Sequence, residues 1–320
     1  MKKVFLPFLL LTCLVFAASS QTITYKVKSD NADPKPASLS LEPFYMDYWT
    51  GDLSMGYSVR ADVTLLNRFQ IKADFRRSYL DIFLNDKLDG RKRTWTEIGG
   101  ALLFVNRTKD ANIRVVLSSS TSYSGSYKTT YTKSISVPGT VRKQIGLRAG
   151  LLNISSPFSA SRNTSNASGE TPLYYTMKGD TTRKSVNVAQ MNLIGTIHAG
   201  LDFNKIYDLI IYADGYGRRR AAMYSNFYID GIFAPVIGLK TVDSALSNNP
   251  NYDGLHSDTY KRFGWRAGWI IRYPRSVFLA YKMEFGGMPG IKTGKWSNGY
   301  FVMTMGINIP MSIKALEKKK

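Results

Sequence analysis

Thiols, histidines and long apolar runs are what this sequence has least of. Its single cysteine, Cys13, lies in a segment read below as removed on export, so the mature chain has no disulfide and no thiolate metal site. Stability then rests on burial and hydrogen bonding. The two histidines, His198 and His256, belong to no His/Asp/Glu cluster with ligand spacing. No catalytic, metal or cofactor site is therefore expected, and the chain reads as a non-enzyme. After residue 20 no run approaches the roughly 20 apolar residues of a membrane-spanning helix. Carboxylates are scarce too: 23 Asp and Glu face 43 Lys and Arg, a net charge of +20. An exported chain rarely meets nucleic acid, which leaves lipopolysaccharide, anionic solutes or acidic envelope proteins as counterparts. A solvated basic surface with no ligand explains the charge equally well.

Export is read from the first twenty residues. Lys2 and Lys3 precede an apolar run from Val4 to Phe16, and Ala17, Ala18, Ser19 and Ser20 follow. This is the layout of a secretory signal peptide cleaved after Ser20. Cys13 could also be read as a lipid-attachment residue. Thr12 is a poor residue before such a cysteine, however, and the apolar run continues past it through Leu14-Val15-Phe16.

What the sequence has in quantity is alternation. Met55, Tyr57, Val59, Ala61 and Val63 occupy one face of a strand whose other face carries Ser54, Ser58, Arg60 and Asp62. The pattern resumes after Asn67-Arg68 with Phe69, Ile71, Ala73 and Phe75. Similar runs predict strands near 39–49, 53–66, 69–83, 94–106, 112–123, 126–137, 140–152, 188–203, 206–217, 261–273, 276–287 and 299–312. Several approach the length of a barrel strand, about 9–11 residues, rather than the roughly 5–6 of an ordinary one. Connections are short at Asn67-Arg68, Pro138-Gly139, Asn204-Lys205 and Pro274-Arg275, and slightly longer near Lys109-Asp110. They are long and polar near 86–94, 158–185, 217–260 and 288–298.

With a closed sheet the only membrane architecture left, residues 38–312 resemble the outer-membrane β-barrel proteins of Gram-negative bacteria. The resemblance is one of architecture. It implies an all-β fold, a closed antiparallel transmembrane β-barrel of about twelve strands, with short periplasmic turns and long outer loops. The expected organisation is a signal peptide (1–20), an N-terminal periplasmic segment (21–37), the barrel (38–313) and a basic tail (314–320). That tail replaces the terminal aromatic residue on which many such proteins end. Trp49, Tyr57, Trp265, Tyr273 and Tyr300 are candidates for aromatic girdles. A water-soluble β-sandwich or lipocalin-like barrel is the competing architecture, since alternation does not say which face points inward.

The candidate site is the polar face. Alternation places Arg60, Arg142, Arg148, Arg262, Arg266 and Arg272 inward, with Asp208 and Asp214. Aligned, the arginines would form a basic track selecting anions. Neutralised by Asp62, Asp74, Asp202, Asp208, Asp214 and Glu284, they would plug the lumen instead. Two functions follow: a narrow passive channel for small solutes, anions among them, or a non-enzymatic structural or assembly component of an envelope complex. A lipid-modifying barrel enzyme is a distant third. His198 reads as a hydrogen-bonded lumen residue, because Asp202 lies too far along the same face to orient it. Arg218-Arg219-Arg220 reads as a basic loop able to hold phosphates, or simply solvated. Asp180-Thr181-Thr182 and Asp243-Ser244-Ala245 resemble the O-glycosylation sites of some Gram-negative exported proteins, triplets that also arise often by chance.

Overall fold

The computed structural model describes residues 23–49, 52–81, 92–159, 173–186, 188–291 and 298–312. The expected signal peptide and the basic tail lie outside them. The described chain is all-β. Its strands are β1 (Tyr25–Asp30), β2 (Ala37–Trp49), β3 (Asp52–Leu65), β4 (Phe69–Asp81), β5 (Thr94–Ser124) and β6 (Tyr127–Ser159). They continue as β7 (Tyr174–Met177), β8 (Asp180–Ser185), β9 (Val188–Ala213), β10 (Gly217–Phe233), β11 (Val236–Thr241) and β12 (Tyr252–His256). The last are β13 (Tyr260–Lys261), β14 (Phe263–Arg272), β15 (Phe278–Gly287), β16 (Gly290–Ile291) and β17 (Gly299–Met311). One short helix, α1 (Ser244–Ser247), is capped by the Asp243 side chain, which accepts from the Ala245 and Leu246 amides. No helix among the described residues is long and apolar enough to cross a membrane.

The chain divides into two compact units, and β5, β6, β9 and β10 each contribute residues to both. The larger unit comprises described residues of 32–110, 140–208 and 222–312. It holds a closed antiparallel barrel of ten strands, in the order β9-β10-β14-β15-β17-β2-β3-β4-β5-β6. The barrel closes where β6 pairs with β9, from Arg142↔Ile206 to Ser159↔Val188. β11 lies along β9 outside this path. The longer connections carry a three-stranded sheet, β12-β7-β8, and a small pair, β13-β16.

Ten strands replace the expected twelve, for two reasons. Lys109-Asp110, Pro138-Gly139 and Asn204-Lys205 have the composition of turns but lie inside continuous strands, so three pairs of expected strands are single long ones. In addition, β10 occupies a stretch expected to be loop. It escapes notice because its two faces contrast weakly: Tyr224, Asn226, Tyr228 and Asp230 are buried, while Phe227 and Ile229 on the other face are exposed. The asymmetry of connections survives. Turns at 66–68, 125–126, 214–216 and 273–277 alternate along the chain with links at 82–93, 160–187, 234–262 and 288–298.

In the barrel the polar face is the inner one. On β3, Ser54, Ser58, Arg60 and Asp62 are buried while Tyr57 and Val59 are exposed. Leu41, Phe75, Leu147, Leu201, Trp269, Leu279, Phe285 and Met303 continue the exposed apolar surface on the other strands. Part of the interior is apolar as well: Trp49, Trp95, Ile154, Met191, Ile232 and Tyr300 form one cluster with the loop residues Leu173, Leu255, Met288 and Ile291. Trp49 and Tyr300 are thus core residues, not girdle residues. Tyr57 and Trp265 do lie outward.

The smaller unit comprises described residues 23–31, 111–139 and 209–221. Here the facing is reversed. Ile113, Val115, Leu117, Val137, Leu209, Ile211 and Ala213 are buried, whereas Arg114, Val116, Ser118, Lys128 and Thr130 are exposed. The segment expected to be a periplasmic extension supplies β1, which pairs antiparallel with 209–213 of β9.

Candidate functional site

The barrel interior gathers charge from nine of its strands. Seven cations, Arg60, Lys72, Arg76, Arg148, Arg266, Arg272 and Lys282, meet seven carboxylates, Glu42, Asp62, Asp74, Glu97, Asp202, Asp230 and Glu284. Alternation aims these side chains inward, and the antiparallel registers bring them level. Arg266 on β14 sits opposite Asp230 on β10, and Arg60 on β3 sits opposite Asp74 on β4.

Glu97 is one centre of the belt. Its carboxylate accepts both terminal nitrogens of Arg266, Nη1 to Oε2 at 2.7 Å and Nη2 to Oε1 at 2.6 Å. This fork-on-fork geometry is the strongest arrangement available to an ion pair. Arg148 adds a bond from Nη2 at 3.2 Å. Asp230 takes the remaining Arg266 donor, Nε, at 2.8 Å and approaches Arg148 Nε at 3.1 Å. His198 is wedged between them, Nε2 at 3.2 Å from Glu97 and Nδ1 at 3.6 Å from Asp230. It is a buried polar filler of the interior. Its place opposite β6 requires a glycine: a Cβ on Gly150 would stand 2.5 Å from His198 Nε2.

Glu284 is the second centre. It accepts from the Tyr300 hydroxyl at 2.7 Å and from the Tyr228 hydroxyl, and it meets Arg76 at 2.8 Å and Lys282 at 3.0 Å. Arg76 and Lys282 also reach Asp74, at 2.9 and 2.6 Å. Aromatic faces cover the guanidinium groups. Arg148 lies 3.9 Å from the Tyr228 ring centre and Arg76 lies 4.6 Å from that of Trp95, a cation–π contact that gains strength when desolvated. Tyr228 in turn occupies the volume left by Gly268, where a Cβ would fall 2.2 Å from its ring. Lys72 closes on Asp202 at 3.0 Å, Arg272 on Asp62 at 2.5 Å and Arg60 on Glu42 at 2.8 Å. The void among Arg60, Lys72, Asp74, Glu97, Arg148, Tyr228 and Lys282 measures about 20 Å³, room for about one water.

Of the expected inward charges, the structure brings Arg60, Arg148, Arg266 and Arg272 into this belt. Arg142 is half-buried and pairs with Asp33 at 2.5 Å, apart from the central groups. Arg262 is exposed, one residue outside β14, where the alternation no longer constrains it. Asp208 is buried. Asp214 is exposed, belongs to the smaller unit and accepts from Thr24, so it is not a barrel-interior residue. Glu97, Asp230, Tyr228 and Trp95 were missed. Glu97 has a sequence signal, since it is a lone carboxylate on the strand face that it shares with Trp95, Gly99 and Ala101. Tyr228 and Asp230 went with the overlooked strand. The two tripeptides have local roles: Asp180 accepts the Thr182 amide at 2.8 Å, and Asp243 caps α1.

The smaller unit carries a second candidate surface. Lys26 and Lys28 on β1, Arg114, Lys128 and Lys133 on β5 and β6, and Arg218, Arg219 and Arg220 on β10 face only two carboxylates, Asp30 and Asp214. Tyr123, Tyr127 and Tyr131 are among the most exposed aromatics of the protein. No family model, curated protein or solved structure matches the chain.

Proposed function

We propose that this protein is an integral outer-membrane barrel with an occluded lumen, acting as a non-enzymatic structural or assembly component of the cell envelope. Membrane residence is supported by the outward face. A water-soluble barrel would not leave Leu41, Phe75, Leu147, Leu201, Trp269, Leu279, Phe285 and Met303 exposed on successive strands. Lipid satisfies such a surface, and a closed ladder of strands satisfies lipid.

The observation that carries the assembly role is the neutralised belt. Of the arginines expected to select anions, Arg60, Arg148, Arg266 and Arg272 each meet a carboxylate in the belt, as Arg148 and Arg266 do at Glu97 and Asp230. Charges matched in this way present no net ring to a passing ion, and Trp95, Tyr228 and Tyr300 pack against them.

The test is conductance of the purified protein in a planar bilayer. The proposal expects none above the lipid baseline. A steady conductance, with a reversal potential shifted by Arg148→Ala and Arg266→Ala, would favour the passive-channel reading and overturn this one.

A further inference from the structure

We propose that the smaller unit is a docking platform for an acidic polypeptide, which adds as a strand along the open edge of β6 at residues 127–136. This names the partner class of the assembly role proposed above and rests on that reading.

Three observations converge on it. The first is an edge. β6 pairs with β5 on one side, where the Thr121 and Thr130 hydroxyls lie 3.4 Å apart. On its other side β6 meets β9 only from Arg142 onward. Residues 127–136 therefore carry no strand on that side among the described residues. Their backbone N–H and C=O groups are a ready template for strand addition.

The second observation is missing burial. Residues 118–133 are exposed on both faces of the β5–β6 ribbon, with Tyr127 and Tyr131 at 80% and 64% exposure. A two-stranded ribbon that buries nothing is marginal in water, and a third strand is the usual remedy. The same unit already uses that remedy elsewhere. β1 adds antiparallel to β9 at 209–213, past the point where β9 leaves β6.

The third observation decides the chemistry of the partner. The unit's eight lysines and arginines outnumber its two carboxylates, and Lys128 and Lys133 stand on β6 itself. Like charges directly opposite across strands are destabilising and unlike charges are favourable. A second copy of this chain, bringing the same lysines, is disfavoured; a strand rich in Asp and Glu is matched. Main-chain bonds then supply affinity, while the charges supply selectivity and on-rate.

The experiment uses the full-length protein in detergent micelles and three probes: a peptide of alternating Glu and Thr, its Lys and Thr counterpart, and vesicles containing phosphatidylglycerol. Fluorescence anisotropy should show binding of the Glu peptide alone, weakened by about tenfold in Lys128→Glu/Lys133→Glu. Amide hydrogen exchange at 127–136 should slow by about tenfold in the complex. Equal binding of both peptides, or no binding, overturns the proposal. Binding of the Glu peptide without protection at 127–136 overturns the strand addition, and binding of vesicles alone reassigns the surface to lipid headgroups. Bilayer conductance separates the two readings. A conducting barrel that binds the Glu peptide sinks the occluded-lumen role only, and a silent barrel that ignores it sinks the docking platform only.

Discussion

The two units use one grammar with opposite facing. In the barrel, Arg60, Glu97 and Arg266 point inward and Val59, Ile98 and Trp265 outward; in the smaller unit, Ile113, Val115 and Ile211 are buried and Arg114 and Val116 are exposed. Continuous strands serve both units, so the reversal occurs within a strand. β9 achieves it by a change of phase: buried positions run Asn204, Ile206, Asp208 and then Leu209, Ile211, Ala213. β6 changes phase between Val141 and Gln144. β5 keeps its phase and changes composition instead, from Glu97 to Ile113, Val115 and Leu117 on one face. Alternation thus specifies a strand with two unlike faces. The surroundings decide which face is hidden.

The largest effect that would sharpen this contrast is expected inside the barrel. Arg266→Ala leaves Glu97 and Asp230 to share Arg148 in a desolvated interior, and removing one partner of a buried ion pair costs about 3–5 kcal/mol. Urea unfolding in detergent would measure it, and a loss below about 1 kcal/mol would mean a hydrated lumen. Arg262→Ala, at an exposed position, serves as the near-neutral control.

The next effect compares the outward faces. Leu279→Arg puts a charge on the barrel's apolar surface, a cost of about 2–4 kcal/mol near a bilayer midplane. Val116→Arg, on the exposed face of the smaller unit, should stay within about 0.5 kcal/mol as an ordinary surface change. Equal damage from both, measured in lipid, would break the comparison. Tolerance of both would return the barrel to a water-soluble architecture.

A smaller effect is expected in the core of the smaller unit. Ile211→Val removes one methyl from a fully buried position and should cost about 0.5–1.5 kcal/mol. Hydrogen exchange should place the loosening in 111–139 and 209–221, leaving the barrel amides unchanged. Loss of protection spread evenly over both would show that the units unfold as one.

The smallest concerns the loop sheet. Asp258 accepts from the Tyr174 hydroxyl at 2.9 Å and from Arg183 at 2.6 Å. These bonds hold its carboxyl below its ordinary value of 3.8. A depressed carboxyl contributes above its unfolded value and is lost as pH falls through the folded one. Tyrosine fluorescence of Asp258→Asn should therefore match the parent at the lowest pH, diverge as pH rises through a point below the ordinary 3.8, and stay apart above it. A constant difference across the range would remove Asp258 from that contact.

The same contrast explains which expectations held. Arg60, Arg148, Arg266 and Arg272 are buried in the barrel, and each lies within an alternating run. Arg262 and Asp214 are exposed and stand just beyond a strand end, where side-chain direction is no longer tied to the pleat. Asn204-Lys205 and Pro138-Gly139 look like turns to any local rule, yet each falls a few residues from a phase change. There a strand must accommodate an irregularity without reversing. Ser58 teaches the complementary point. A wet lumen would accept arginine at that position, whereas here Ser58 is buried and its hydroxyl donates to Asp74 at 3.2 Å.

By itself the sequence determined the all-β class, the long alternating strands, the identity of the polar face and the alternation of short and long links. Each follows from period-two side-chain geometry and local turn chemistry. Only the tertiary structure decided the number of barrel strands, which carboxylate meets which cation, and where the apolar face turns inward. Those depend on cross-strand register between residues as distant as Glu97 and Arg266. Register is a property of pairs of strands, and no single strand encodes it.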